Sequence, residues 1–241
     1  MGTLYRDAFA KLEARQEARL PVSAVPEACR HLLAGGRRDG ADIRLRPPPA
    51  SDPRGIRIAR RLAAFLLLVA LLPLFAGISL WVLFDDGFPL FFAQQRTGRE
   101  GRPFALLKFR TMRGPSRPPS AASNPLDKRA ADPRVTRGGA ILRRFSLDEL
   151  PQLVNILRGE MAFVGPRPLP TDESRVEEPW QAMRYRVLPG LTGLWQVTAR
   201  NRSSFEELCR IDFLAVCARS PRLWMRIFLR TFPEILGGGG R

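Results

Sequence analysis

Residues 145–153, FSLDELPQL, set two carboxylates side by side, Asp148 and Glu149, just before a proline. Ser146 and Glu149 have the S-x-x-E spacing of a capping box, and on that reading the two acids only complement the positive end of a helix. Their neighbours support a second reading. Pro151 prevents a fully regular first turn and leaves both acids on a fixed corner; Arg143 and Arg144 lie just upstream, and Arg167 sits in a stiff Gly-Pro-Arg-Pro frame. Adjacent carboxylates among arginines suit phosphate chemistry. One carboxylate can attack phosphorus, the other can hold a Mg2+ that bridges phosphate oxygens, and guanidinium groups bind such oxygens bidentately. For Arg167 taken alone, a salt bridge that pins a loop is the alternative.

Scarcity excludes other chemistry. The 241 residues include one His (His31) and three Cys (Cys29, Cys209, Cys217) without close spacing. That rules out a multi-His zinc site and a zinc ribbon or finger, and argues against a disulfide framework. A Ser-His-Asp mechanism would need His31, which lies in a polar stretch. Carboxylates, Arg and Lys must carry any catalysis.

The chain holds 39 Lys+Arg against 23 Asp+Glu, a net charge of +16, and only Lys11, Lys108 and Lys128 among the basic residues are Lys. Such an excess points to an anionic partner: nucleic acid, membrane surface or phosphorylated substrate. The length bounds the chain to one or two domains, and 45% hydrophobic residues suffice for a core.

The segment 62–84, LAAFLLLVALLPLFAGISLWVLF, has no charged side chain in 23 residues. As a helix it would be about 35 Å long at ~1.5 Å per residue, against a hydrocarbon core of about 30 Å. It follows a polar stretch of 61 residues, unlike a cleavable signal peptide. Pro73 near its middle favours a kink. Arginines flank it on both sides (Arg54, Arg57, Arg60 and Arg61 before; Arg96, Arg99 and Arg102 after). Lys and Arg next to membrane segments favour the cytoplasm, so both flanks on one side suit a helix that enters one leaflet and returns. A single span is the alternative. Net charge is +6 over residues 1–61, −2 over 62–90 and +12 over 91–241, so the basic excess lies on both sides of the apolar stretch. Juxtamembrane Arg is drawn to anionic lipid.

Around this segment the chain reads as follows. Residues 1–30 contain a short helix, and 35–55, rich in Gly, Pro and Arg, read as a linker. FPLFFAQQ (88–95) and PFALLKFRTM (103–112) flank a glycine-containing loop and read as a β-hairpin. Residues 113–134 read as loop, 138–145 and 147–158 as helical, and 164–170, with three prolines, as non-helical. In 221–232, Arg222, Arg226 and Arg230 share one helical face, with Leu223, Trp224, Ile227, Phe228 and Phe232 forming an apolar side. That suits either the membrane interface or a surface helix packed on the domain.

Three stretches, KFRTM (108–112), RRFSLDELPQLVNILRGEMAFVGPRP (143–168) and PGLTGLWQVTAR (189–200), resemble the bacterial sugar transferases. These are the small monotopic polyprenyl-phosphate phosphoglycosyl transferases that start exopolysaccharide and glycoconjugate assembly. The resemblance runs from about Arg57 to Thr231. It implies transfer of a sugar 1-phosphate from a UDP-sugar to undecaprenyl phosphate, giving a polyprenyl diphosphosugar and UMP, by a Mg2+-dependent ping-pong route. Mapped residue by residue, it makes Asp148 the nucleophile that forms an aspartyl phosphosugar and Glu149 a Mg2+ ligand. Arg143 would bind the lipid phosphate, Arg167 the substrate phosphates or nucleotide. Lys108, a further candidate for binding substrate phosphate, and Asp212, a candidate support of the site, match positions near the family's active site.

The resemblance also implies a re-entrant membrane helix and an active site on the cytosolic face of the bacterial inner membrane. Leu72 stands where the family usually has a Ser before the breaking Pro, so the break rests on Pro73. Ala64 and Trp224 replace acidic residues common in the family. Residues 1–55 match no family segment.

The expected fold is α+β and mainly helical: a polar N-terminal extension and linker (1–55), a re-entrant membrane helix (56–90), and a cytosolic transferase domain (91–241) with amphipathic surface helices and a small β-hairpin. The expected partners are undecaprenyl phosphate, a UDP-sugar and an anionic bilayer, with a homodimer left open. Nucleic acid is not among them, because Arg is spread along the whole chain and no nucleic-acid motif appears.

Overall fold

The computed structural model describes residues 2–15, 17–34, 42–49, 51–114, 132–174, 176–199 and 204–237. Most of the stretch read as loop at 113–134, and the first part of the stretch read as linker, lie outside these residues.

Among the described residues the fold is mixed and mostly helical, with three small two-stranded sheets. It opens with α1 (Gly2–Arg15), β1 (Ala18–Pro21), α2 (Glu27–Ala34) and β2 (Asp42–Leu45). β1 and β2 pair antiparallel, with Leu20 opposite Ile43. β2 falls inside the stretch read as linker. Its alternation Asp-Ile-Arg-Leu is a half-buried strand pattern, with Ile43 and Leu45 inside and Asp42 and Arg44 outside; the neighbouring prolines masked it. The same core cluster holds Leu12, Leu20, Cys29 and Leu45 from this N-terminal part together with Trp180, Leu194, Phe213 and Ile227 from the far end of the chain.

The apolar stretch forms two helices, α3 (Arg54–Ala70) and α4 (Leu72–Asp86), bent by 62° at Leu71. Pro73 lies in the first turn of α4, where its missing N–H costs least and its fixed φ suits a helix start. It cannot continue the α3 ladder, and the break falls there. No single helix among the described residues is long and apolar enough to cross a membrane; this bent pair passes the test together. One side of the pair is buried. Ala64, 0% exposed, meets Leu153 and Ile156 of α6 (Gln152–Arg158), and Ile78 and Val82 meet Phe109 and Leu142. The other side exposes Ile58, Leu62, Leu66, Val69, Leu72, Leu80 and Phe84, the last at 85%.

The hairpin expected after the apolar stretch is present. β3 (Phe91–Thr97) and β4 (Pro103–Phe109) pair antiparallel, with Phe92 opposite Lys108. Then come α5 (Arg137–Arg144), a 3-10 turn at Leu147–Glu149, α6, and β5 (Ala162–Val164), which pairs parallel with β6 (Gly190–Thr192). α7 (Leu194–Thr198), α8 (Phe205–Cys217) and α9 (Pro221–Leu236) follow. Ser204 and Ser220 cap α8 and α9 through their side chains.

In α9, Leu223 and Ile227 are buried in the main core, whereas Met225, Phe228, Leu229 and Phe232 are exposed. The helix therefore packs on the domain along one edge and presents a second apolar edge outward. The three cysteines are free and buried, and burial pushes their thiols up to about 11 for Cys29 and Cys209 and about 12 for Cys217.

Candidate active site

The corner that carries the acidic pair is built by α5 and the turn after it. Thr136 caps α5 by accepting from the Gly139 N–H at 2.9 Å, and Asp85, near the end of α4, accepts from the Gly138 N–H at 3.0 Å. The chain then turns sharply at Ser146, whose φ is +54°. That left-handed conformation is uncommon outside glycine and costs about 1–3 kcal/mol. Ser146 makes no side-chain cap bond, so the S-x-x-E spacing does not form a capping box. Pro151 delays α6 to Gln152, and Asp148 and Glu149 sit in the intervening 3-10 turn. Asp148 is buried, 7% exposed, and Glu149 is half-buried.

Lys108 reaches this pair from β4. Its Nζ lies 2.8 Å from Glu149 Oε1 and 3.9 Å from Asp148 Oδ2. Asn155, fully buried on α6, sets the strand at the right height. Its Oδ1 accepts from the Leu107 N–H at 3.0 Å, while its Nδ2 donates to the Ala105 carbonyl and to Glu160 Oε2, both at 2.7 Å. The helix that follows the acidic pair thus grips the backbone beside Lys108. Sequence reasoning missed Asn155; a lone amide inside the apolar run QLVNIL was its only signal.

Arg143 lies in the last turn of α5, and its Nη1 is a buried donor with no hydrogen-bond partner among the described residues. Such a donor is costly unless an acceptor arrives, and a phosphate oxygen is a fitting one. Arg167 follows β5 and lies over the Trp195 ring, 5.7 Å from its centroid. The frame around Arg167 depends on a close backbone approach: a Cβ on Gly190 would lie 2.1 Å from the Gly165 nitrogen. Glycine at 190 lets β6 run against the Gly-Pro-Arg-Pro segment, with the Gly165 N–H donating to the Thr192 carbonyl and the Gly190 N–H to the Pro166 carbonyl, both at 2.9 Å.

Asp212 is placed differently. It is buried on α8, and its Oδ2 lies 2.9 Å from Arg184 Nη2. Burial pushes its carboxyl up to about 6, against the pull of Arg184 and Arg167. It therefore stands behind Arg167. Arg96 on β3 was missed as a site residue because arginine is so common in this chain. Burial and the nearby charge of Arg167 bring its guanidinium down to about 10, and Glu173, Glu149 and Asp172 oppose that shift.

Among the described residues, no three His, Cys, Asp or Glu side chains gather to hold a metal ion. Mg2+ at phosphate-handling sites needs only one or two carboxylates, with water and substrate oxygens completing the shell. The hard oxygen donors of Asp148 and Glu149 fit that requirement.

The apolar helix pair is latched to the same site. Asp86 pairs with Arg110 Nη2 at 3.1 Å and Arg113 Nε at 2.8 Å, just past Lys108, while Asp85 holds the start of α5. The end of α4 is thus fixed both to the chain just past β4, which carries Lys108, and to α5, which carries Arg143.

Comparison with known proteins gives a consistent result. The bacterial sugar transferase family profile matches residues 55–238. The exopolysaccharide production protein ExoY of Sinorhizobium fredii is 40% identical over 185 residues, which are 72% of this chain and 82% of that protein. A UDP-glucose:undecaprenyl-phosphate glucose-1-phosphate transferase of Caulobacter vibrioides is 40% identical over 192 residues, 75% of this chain and 69% of that protein. An undecaprenyl-phosphate galactose phosphotransferase of Salmonella typhimurium is 36% identical over 179 residues, 68% of this chain and 37% of that protein.

Proposed function

The chain belongs to the bacterial sugar transferase family, and from that premise we propose that it moves a sugar 1-phosphate from a UDP-sugar to undecaprenyl phosphate. The observation that carries the reading is the Asp148–Glu149 pair on its fixed turn, with Lys108 beside both carboxylates. The relatives named as sugar-phosphate transferases to undecaprenyl phosphate support the substrate classes.

The chemistry runs in two displacements. A carboxylate oxygen of Asp148 attacks the sugar-bearing phosphorus. The bond from that phosphorus to the bridging oxygen breaks, and its electron pair leaves with UMP. An oxygen of undecaprenyl phosphate then attacks the same phosphorus. The aspartyl–phosphorus bond breaks, freeing the carboxylate and giving the polyprenyl diphosphosugar. Burial of Asp148 removes water that would compete with the lipid phosphate. Lys108 offsets the charge of the acidic pair and keeps both side chains aimed. The unpartnered Nη1 of Arg143 meets the lipid phosphate, and Arg167 meets the diphosphate of the nucleotide sugar. Mg2+ held by Glu149 would supply charge neutralisation at the phosphate oxygens.

Exposure and charge support a membrane placement. The bent α3–α4 pair lies in one leaflet with its exposed apolar side in lipid, and both ends return to the cytosolic face of the inner membrane. Contiguous exposed apolar surface of this size is a mark of a membrane or protein contact. The exposed edge of α9, with Phe228 and Phe232 stacked edge-on at 5.3 Å, lies at the same interface, and neighbouring arginines meet anionic headgroups.

Membranes containing the protein should release UMP from at least one UDP-sugar when undecaprenyl phosphate and Mg2+ are present. Asp148→Asn should abolish release, and full activity in that variant would sink the nucleophile assignment. Thiol labelling of single cysteines introduced at Arg54 and Arg99 should place both in the cytoplasm; a periplasmic Arg54 would overturn the re-entrant topology.

A further inference from the structure

We infer that Arg96 and Arg184 form a two-sided clamp on backbone carbonyls that fixes the 166–170 segment, so that Arg167 is held ready for the substrate diphosphate. The inference rests on the proposed role of Arg167.

The argument begins with what Pro-Arg-Pro-Leu-Pro cannot do. Prolines at 166, 168 and 170 have no N–H, so the segment cannot be held by the alternating donors and acceptors of a regular strand. It can be anchored mainly through its carbonyls. Each carbonyl from 166 to 169 has a donor. Gly190 N–H serves Pro166 at 2.9 Å and Thr97 N–H serves Leu169 at 2.9 Å. Between them, the two donors are guanidinium groups. Arg184 Nη2 donates to the Arg167 carbonyl at 2.8 Å, and Arg96 Nη1 donates to the Pro168 carbonyl at 3.1 Å.

Both clamps are themselves locked. Arg184, 4% exposed, lies on the 3-10 helix Pro179–Arg186, and its Nη2 is also 2.9 Å from Asp212 Oδ2. Asp212 is 1% exposed and pairs with Arg184, so the guanidinium is kept where it also meets the Arg167 carbonyl. Arg96 places its Nη2 2.6 Å from Gln94 Oε1 on the same strand. Its Nε is a buried donor with no hydrogen-bond partner among the described residues.

Charge also points to a bound anion. Arg96 and Arg167 are close enough for their positive charges to disfavour each other. Two half-buried cations near each other are relieved when an anion enters between them. Glu173, Glu149 and Asp172 offset part of that repulsion, and a diphosphate between the two guanidinium groups would offset more. Because a proline-rich segment moves as a unit, loosening either carbonyl contact displaces the Arg167 fork from its phosphate oxygens. Displacements of about 1 Å from such positions can cost on the order of a hundredfold in rate.

The test uses the full-length enzyme in detergent and the most active member of a panel of UDP-sugars. Initial rates of UMP release give KM for the UDP-sugar and kcat. Arg167→Ala is compared with Arg96→Met and with the charge-balanced pair Arg184→Met/Asp212→Leu, which leaves no unpaired buried ion. Each clamp change is then repeated in the Arg167→Ala background.

The expected result is a rise in KM for the UDP-sugar of about tenfold for each clamp change, with KM for undecaprenyl phosphate unaltered. In the Arg167→Ala background the same changes should add less than about twofold, since residues acting through one contact are not additive. An equal KM rise in both backgrounds, or none in either, overturns the clamp while leaving the reading of Arg167 intact. If Arg167→Ala itself leaves KM unchanged, the phosphate role of Arg167 fails and the clamp's function fails with it. If Arg184→Met/Asp212→Leu does not fold, Arg96→Met, which removes no buried ion pair, decides the question alone.

Discussion

Lys108 Nζ and Glu149 Oε1 stand 2.8 Å apart, joining a β-hairpin to a 3-10 turn 41 residues further along the chain. Both side chains are largely shielded, at 18% and 13% exposure. A shielded pair is weakened little by salt. Its contact with the second acid, Asp148, makes Lys108 the cation that lets two carboxylates stay adjacent. Lys108→Met should lower kcat for UMP release by about 10²–10³-fold, the scale seen when a preorganised donor is removed. The fold should survive, because the side chain belongs to none of the buried apolar clusters. A variant with near-normal kcat would remove Lys108 from the catalytic machinery.

Asn155 gives a prediction of a different kind, on stability. Replacing it by Leu leaves the Leu107 N–H and the Ala105 carbonyl without their partner. An unmet backbone group costs about 1–3 kcal/mol, so with two part-buried groups left unmet Asn155→Leu should lose about 2–6 kcal/mol in denaturant unfolding followed in detergent. Activity should fall too, since β4 carries Lys108. A variant as stable as the parent would show that the strand is held by other contacts.

How much of this was legible in the sequence depends on how local the physics was. The β-hairpin could be read because its alternation and glycine loop are short-range signals. The break in the apolar helix could be read because Pro73 acts on its own turn. The adjacency of the acidic pair could be read because Asp148 and Glu149 are neighbours in the chain. Ser146 misled: the spacing for a capping box is present, but the cap needs an extended backbone at Ser146, and the structure gives it φ +54°. β2 was hidden because its partner, β1, lies more than twenty residues away and prolines follow it. Arg96 and Arg184 were invisible for a statistical reason. In a chain with 39 basic residues, one arginine carries almost no information until its carbonyl partners are seen.

Asp212 leads to a pH prediction whose sign is fixed by its burial. Its carboxyl is raised to about 6 in the folded protein, because burial outweighs the attraction of Arg184 and Arg167; in the unfolded chain it titrates near ~3.9. The folded state therefore binds this proton more tightly. The stability it contributes is fully present below about pH 4 and is lost as pH rises through about 6. Asp212→Asn keeps the size and shape of the side chain but cannot ionise. Between about pH 4 and 7 the unfolding free energy of the parent should decline relative to that of Asp212→Asn, with most of the divergence complete by about pH 6–7. Parallel curves would mean that Arg184 fully repays the desolvation of the carboxylate. In that case the buried pair would stabilise the corner behind Arg167 as a permanent ion pair, at every pH where the enzyme works.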